Sequence, residues 1–373
     1  MLAVALLALL LAAPPAVSGT AAKAPVASRA KLKKQLRRLV ATGAPGAILL
    51  VRDRRGVWRA ASGFSNLANR TKMRTNVSFR VGSITKSFVA TLILGLVADG
   101  RLSLDDTVER WLPGRVPNGN QITVRQLLNH TSGLFNYTDD FASFEPYLTD
   151  RGFVWSPFEL LAIALGHPPV FAPGAYWSYS NTGYIVLGLI VEAASGTSLN
   201  QLLRQRLFEP LGLSRTILPS APTLPEPFTH GYIPPPLGEL YGGTPGQQFD
   251  STLISPSWAW AAGALVSTAD DIAAFYRLLL TGRVLAPPTL QAMKTVVHHG
   301  GSDAYGLGLA SFRLRYPCRW AWGHTGQVLG YSSFAWSTAK AGRQVVLLVN
   351  TMFTDRQFNV VREILNSALC PAA

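Results

Sequence analysis

The chain is 373 residues long, 48% apolar and only 14% charged, which suits a large packed core and not a disordered chain. Its net charge is +14, yet the basic residues are scattered and accompany no reading motif, so nucleic-acid binding is disfavoured. There is also no His-Glu-x-x-His, no cysteine pair at zinc spacing and no Gly-x-x-x-x-Gly-Lys loop, so metal and nucleotide chemistry have no support.

Leu2 to Ala13 is almost wholly apolar but too short for an ordinary membrane span. Small residues follow around Ala16-Val17-Ser18 and Ala21-Ala22. The segment 1–22 therefore reads as a secretory signal, although no Lys or Arg precedes the apolar run. No second stretch of spanning length stands out.

Arg29 to Ala41 has amphipathic helix spacing, with Lys31, Lys33, Lys34, Arg37 and Arg38 set among Leu32, Leu36, Leu39 and Val40. Gly43-Ala44-Pro45-Gly46 ends it. Strands over Ala47 to Arg52 and Val57 to Gly63 form a hairpin around Asp53-Arg54-Arg55-Gly56. Phe79-Arg80-Val81 leads into an apolar helix closed by Asp99-Gly100.

From Arg101 to about Gly212 the pattern is mostly helical. Helices are expected over Val124 to Leu128 (Thr123 cap), from Ser156-Pro157 through Leu165, and over Asn181 to Ser195, stopped by Gly196. Pro219 to Pro245 reads as an irregular excursion over the surface that could wall a cleft. A capped helix spans Thr268 to Leu280. Strands follow over Gly306 to Leu314, Trp320 to His324, Tyr331 to Trp336 and Gln344 to Asn350, then a helix from Asp355 to Ala368.

The expected fold is α/β of the α+β type. An antiparallel sheet built from both ends of the chain is flanked by helices, with 29–100 and 260–370 forming one lobe. A mostly helical lobe, 101–259, is inserted between them. The two cysteines, Cys318 and Cys370, suit one disulfide in an exported chain, or two buried thiols; spacing alone does not decide.

Ser-x-x-Lys occurs three times, at Ser28/Lys31, Ser83/Lys86 and Ser337/Lys340. Only Ser83 heads a long apolar helix, which places Lys86 one turn on, on the same face. A serine needs a neighbour to take its proton, and a helix N-terminus offers free N–H groups to an oxyanion.

Two further stretches could share that site. Tyr179-Ser180-Asn181 precedes a helix that Asn181 could simply cap, with Tyr179 packed beside it. Alternatively, Tyr179 exchanges protons with Ser83 and Asn181 binds a substrate amide. A nearby Lys86 ammonium would favour the Tyr179 phenolate, and bringing a phenol from about 10 to neutrality requires about 4 kcal/mol. Trp322-Gly323-His324-Thr325-Gly326 ends a strand. It is either a plain strand end with His324 exposed, or a cleft edge. In the second reading His324 supplies a positive or proton-donating group, Thr325 binds a carboxylate, and the backbone past Gly326 completes an oxyanion hole.

Ser83-x-x-Lys86, Tyr179-Ser180-Asn181 and His324-Thr325-Gly326 stand in the order and approximate spacing of the serine penicillin-recognising enzymes, which the chain resembles from about Leu36 to Cys370. The tyrosine in the second motif is similar to the class C β-lactamase branch. The histidine in the third, and the positions of Cys318 and Cys370, resemble the secreted D-alanyl-D-alanine carboxypeptidases of the Streptomyces type.

The resemblance implies a secreted, monomeric, penicillin-sensitive DD-carboxypeptidase that works through an acyl-enzyme on D-Ala-D-Ala peptides and needs no metal or organic cofactor. It implies Ser83 as nucleophile, Lys86, Tyr179 and His324 as proton carriers, and the N–H groups of Ser83 and Gln327 as the oxyanion site. Asn181 and Thr325 would position the substrate, and Trp258 either walls the cleft or belongs to the core. An arginine that holds the substrate carboxylate in that branch falls at Ala310 here, leaving Arg313 or Arg315 to substitute. A β-lactamase, an esterase or a D-aminopeptidase on the same scaffold, or an inactive cell-wall-binding protein, are the alternatives.

Overall fold

The computed structural model describes residues 28–144, 150–219, 221–300, 303–316 and 318–370; the expected leader at 1–22 lies outside the described residues. Its strands are β1 (Gly46–Asp53), β2 (Gly56–Asn66), β3 (Thr71–Lys72), β4 (Phe79–Arg80), β5 (Tyr232–Ile233), β6 (Phe249–Asp250), β7 (Val266–Ser267), β8 (His298–Gly300), β9 (Asp303–Tyr305), β10 (Ala310–Arg313), β11 (Trp320–Val328), β12 (Tyr331–Thr338) and β13 (Gln344–Val349). Nine of them form one antiparallel sheet in the order β3-β2-β1-β13-β12-β11-β10-β9-β8, while β4 pairs with β7 and β5 with β6. The two ends of the chain meet where β1 lies against β13, Ile48 opposite Leu348.

Period-two alternation explains why the central strands read as continuous apolar runs: both faces are covered. On β1, Ala47, Leu49 and Val51 face the terminal helices Arg29–Ala41 and Asp355–Leu369, through Leu32, Leu36, Leu39, Val361 and Ile364. Ile48 and Leu50 face the larger core, which is continuous from the sheet into the helical segment. The helix Ile84–Ala98 runs through that core and is apolar on every side, with Phe88 stacked on Phe275 at 3.7 Å. Among the described residues no single helix is long and apolar enough to cross a membrane.

Cys318 and Cys370 form a disulfide, Cα to Cα 5.7 Å, which ties the approach to β11 to the end of the last helix. Other expectations shift. β10 is shorter than its apolar run because Gly306 closes a turn onto Leu309 O (2.9 Å), and β8 and β9 extend the sheet unforeseen. β11 continues past His324 to Val328, paired with β12 throughout. The Pro-rich excursion is anchored: Tyr331 Oη donates to Thr229 O (2.9 Å), and Arg80 Nη2 to Pro222 O (2.7 Å). None of its described residues lines the two cavities described below.

Candidate active site

Ser83 sits at the N-terminus of the helix Ile84–Ala98, and Lys86, one turn on, is fully buried. Lys86 Nζ lies 3.1 Å from Ser83 Oγ and 2.7 Å from both Asn181 Oδ1 and Ala262 O. Burial drives the Lys86 pKa well below the usual ammonium range. A neutral amine has two N–H donors and one lone pair. Nζ donates to both carbonyl oxygens and lies within hydrogen-bond reach of Ser83 Oγ; once deprotonated, it would keep its two donors on the carbonyls and turn its lone pair to the Ser83 hydroxyl proton.

Tyr179 is hydrogen-bonded to Ser83, and its ring lies 4.9 Å from Lys86 Nζ. Burial raises its pKa, and the Ser83 hydrogen bond only partly opposes that. This runs against the expected phenolate: burial favours the protonated form, and Tyr179 stands as a proton-bearing phenol.

The third segment meets the first through two glycines. A methyl group at Gly82 (φ +54°) would lie 2.6 Å from Gln327 N. One at Gly326 would lie 2.0 Å from Val81 O and 3.0 Å from Ser83 N. Only hydrogen side chains let the two backbones touch, and this contact brings the Gln327 segment against the backbone of Ser83, the closeness that a two-donor oxyanion site would require. β10 stops pairing at Ala310 opposite Gly323, so beyond it β11 presents an unpaired edge to which an extended peptide could add.

His324 is buried. Its Nδ1 engages Thr325 O, and Nε2 lies 2.9 Å from Tyr305 Oη. Burial holds its pKa down at about 3, only partly offset by the Thr325 carbonyl. The expected positive group is therefore a neutral imidazole at neutral pH, engaged at both nitrogens. Asn181 is the first residue of its helix, with Ser180 in the capping position. Its amide is committed on both sides, Oδ1 to Lys86 and Nδ2 to Thr138 Oγ1 (3.1 Å), so it orients the lysine.

A cavity of about 410 Å³ brings together Ser83, Tyr179, Asn181, His324, Thr325, Gly326 and Gln327. Trp258 lines neither this cavity nor its neighbour and packs against the large core, which is the core alternative of the sequence reading. Arg313 and Arg315 line neither cavity; Arg315 Nη2 donates to Cys370 O (3.3 Å). Sequence reasoning missed Tyr305, Thr138 and His130. Buried His130 lies 4.3 Å from the Tyr179 ring and accepts from Ser180 N–H (3.2 Å), fixing the loop that carries the phenol. Its place in Leu128-Asn129-His130-Thr131-Ser132-Gly133 was the available signal.

The Beta-lactamase family model matches residues 32–368. The chain is 32% identical over 191 residues to penicillin-binding protein 4* of Bacillus subtilis, a match that covers 50% of this chain and 42% of that protein. It is 30% identical over 343 residues to esterase EstB of Burkholderia gladioli, covering 83% of this chain and 86% of the esterase. The structure of a D-stereospecific amidohydrolase from Streptomyces sp. superposes with a TM-score of 0.82 at 35% identity, over 93% of this chain and 100% of that one.

Proposed function

The chain belongs to the Beta-lactamase family of serine hydrolases, and from that premise we propose that it is a secreted, penicillin-sensitive serine carboxypeptidase of the D-alanyl-D-alanine type. The observation that carries the reading is the buried Lys86 amine, held by two carbonyls and facing the Ser83 hydroxyl at 3.1 Å. Ser83 Oγ attacks the carbonyl carbon of the terminal peptide bond as its proton passes to Lys86 Nζ. The oxyanion rests on the N–H groups of Ser83 and Gln327. The C–N bond breaks, the departing nitrogen takes the proton of Tyr179, and the proton on Lys86 replenishes the phenol. A water molecule then attacks the Ser83 ester; its oxygen joins the acyl carbon and its proton returns by the same groups to Ser83. Secretion is supported by the apolar leader and by the disulfide, which suits an oxidising compartment.

A second reading is an esterase or a β-lactamase, which would use the same Ser83 and Lys86, and the likeness to EstB favours the former. A D-aminopeptidase is disfavoured because, among the described residues, neither cavity carries a carboxylate to receive a free α-ammonium group. Mass spectrometry after penicillin treatment is expected to find one adduct, on Ser83. Turnover of an acyl-D-Ala-D-Ala peptide above nitrocefin and p-nitrophenyl acetate supports the peptidase; ester turnover alone would replace it with the esterase.

A further inference from the structure

A second cavity, of about 370 Å³, adjoins the first and shares Tyr179, His324, Thr325, Phe334 and Phe358 with it. Ser83, Asn181 and Gln327 line only the first. The acyl carbon therefore belongs in the first cavity. The leaving nitrogen, which takes its proton from Tyr179, is directed toward the second.

The second cavity is walled by aromatic and aliphatic side chains, Trp177, Phe312 and Trp336 among them, and among the described residues Arg362 is its one fully charged residue. Helical spacing places Arg362 one turn beyond Phe358, a phenyl ring left 48% exposed where the two cavities meet. Among the described residues no carboxylate forms an ion pair with Arg362; the adjacent Glu363 pairs with Arg38 at 2.5 Å. An uncompensated guanidinium beside an apolar hollow matches a ligand with an apolar body and an anionic end.

We propose that this cavity is the leaving-residue subsite, that it takes a C-terminal residue with a large apolar side chain, and that Arg362 binds that residue's terminal carboxylate. The assignment rests on the carboxypeptidase reading and shifts its preferred leaving residue from D-Ala to a larger apolar D-residue. The group that recognises the carboxylate comes from the last helix, in place of the strand arginine missing at Ala310. D-Ala would leave the aromatic wall uncovered, whereas a D-Phe side chain would bury against it, an advantage of about tenfold or more.

The test compares three substrates with one acyl part, ending in D-Ala, D-Phe or D-phenylalaninamide. The wild-type enzyme is expected to favour the D-Phe acid over D-Ala by about tenfold or more. It should favour the D-Phe acid over its amide by about three- to tenfold, since Arg362 is solvent-exposed. In Arg362→Gln the acid-to-amide ratio is expected to fall toward one through a raised KM for the acid, with Arg362→Lys restoring part of it. Equal rates on acid and amide in the wild type, equal losses on both in the variant, or preference for D-Ala overturns the subsite. A penicillin adduct on Ser83 without cleavage of any of the three peptides overturns the carboxypeptidase reading, and the subsite with it.

Discussion

Lys86 Nζ lies 2.7 Å from Asn181 Oδ1, although 95 residues separate the two in the chain. The contact bears on which proton carrier is which. With Asn181 and Ala262 each taking a hydrogen bond from Nζ, the proposed mechanism uses the lysine as base and the buried phenol of Tyr179 as acid. The depressed Lys86 pKa means that activity is present above it and lost as pH falls through it. The acid limb of kcat/KM should thus lie well below 10.5. Lys86→Met is expected to lower kcat/KM by about 10²- to 10⁴-fold. A pH–rate profile and single-turnover acylation check both; an unchanged acylation rate in the variant would remove Lys86 from the mechanism.

Tyr179→Phe should separate substrates by leaving group. An amine must be protonated to depart, whereas p-nitrophenolate leaves as the anion. Peptide cleavage is therefore expected to fall by about 10²- to 10⁴-fold and p-nitrophenyl acetate hydrolysis by much less. Parallel steady-state assays read the ratio, and equal losses would show that the phenol also acts before the bond breaks.

Gly326→Ala should damage the site without touching a catalytic side chain. Its methyl group would collide with Val81 O and crowd Ser83 N. The strand must retreat, costing about 1–3 kcal/mol of stability and about 10²-fold or more in kcat as the oxyanion site opens. Urea unfolding and penicillin acylation rates measure the two effects; a stable variant with wild-type acylation would contradict the close approach.

His324 ties stability to pH. Its folded pKa of about 3 lies below the ordinary 6.5. The unfolded chain thus takes up a proton in that interval that the folded one refuses. The contribution is present above pH 6.5 and is lost as pH falls toward 3, about 5 kcal/mol in full. His324→Gln should flatten the slope of unfolding free energy between pH 7 and 4. An unaltered slope would mean that the imidazole is protonated inside the fold.

Removing the disulfide by Cys318→Ser with Cys370→Ser is expected to cost about 2–4 kcal/mol. Cys370 follows directly on the helix that carries Phe358 and Arg362. The loss should therefore appear as a raised KM for peptides more than as a slower reaction of Ser83 with penicillin, measured on the oxidised and reduced protein.

Local signals made much of this protein legible. Caps and breakers delimited the helices Val124–Leu128, Pro157–Leu165 and Asn181–Ser195, because Thr123, Ser156 and Gly196 act on backbone groups within a few residues. Three short motifs, each informative through its order along the chain, pointed to the residues that share the cavity. By contrast, the extension of β11 to Val328 depends on Tyr331 across the ladder, and the length of β10 on a turn at Gly306, so neither showed in its own segment.

Sequence alone thus determined most of the elements and singled out Ser83, Lys86 and Tyr179, which the fold brings into contact, since propensity, capping and motif chemistry are local. Tertiary structure decided the surroundings that bias the protonation states, and the cavity wall. Whether Lys86 is an amine, Tyr179 a phenol and His324 neutral depends on burial and on partners such as Ala262 and Tyr305. That Arg362 stands beside the site, while Arg313 and Arg315 do not, depends on how the last helix packs across the sheet. Desolvation and packing are summed over the whole fold, and no window of sequence contains them.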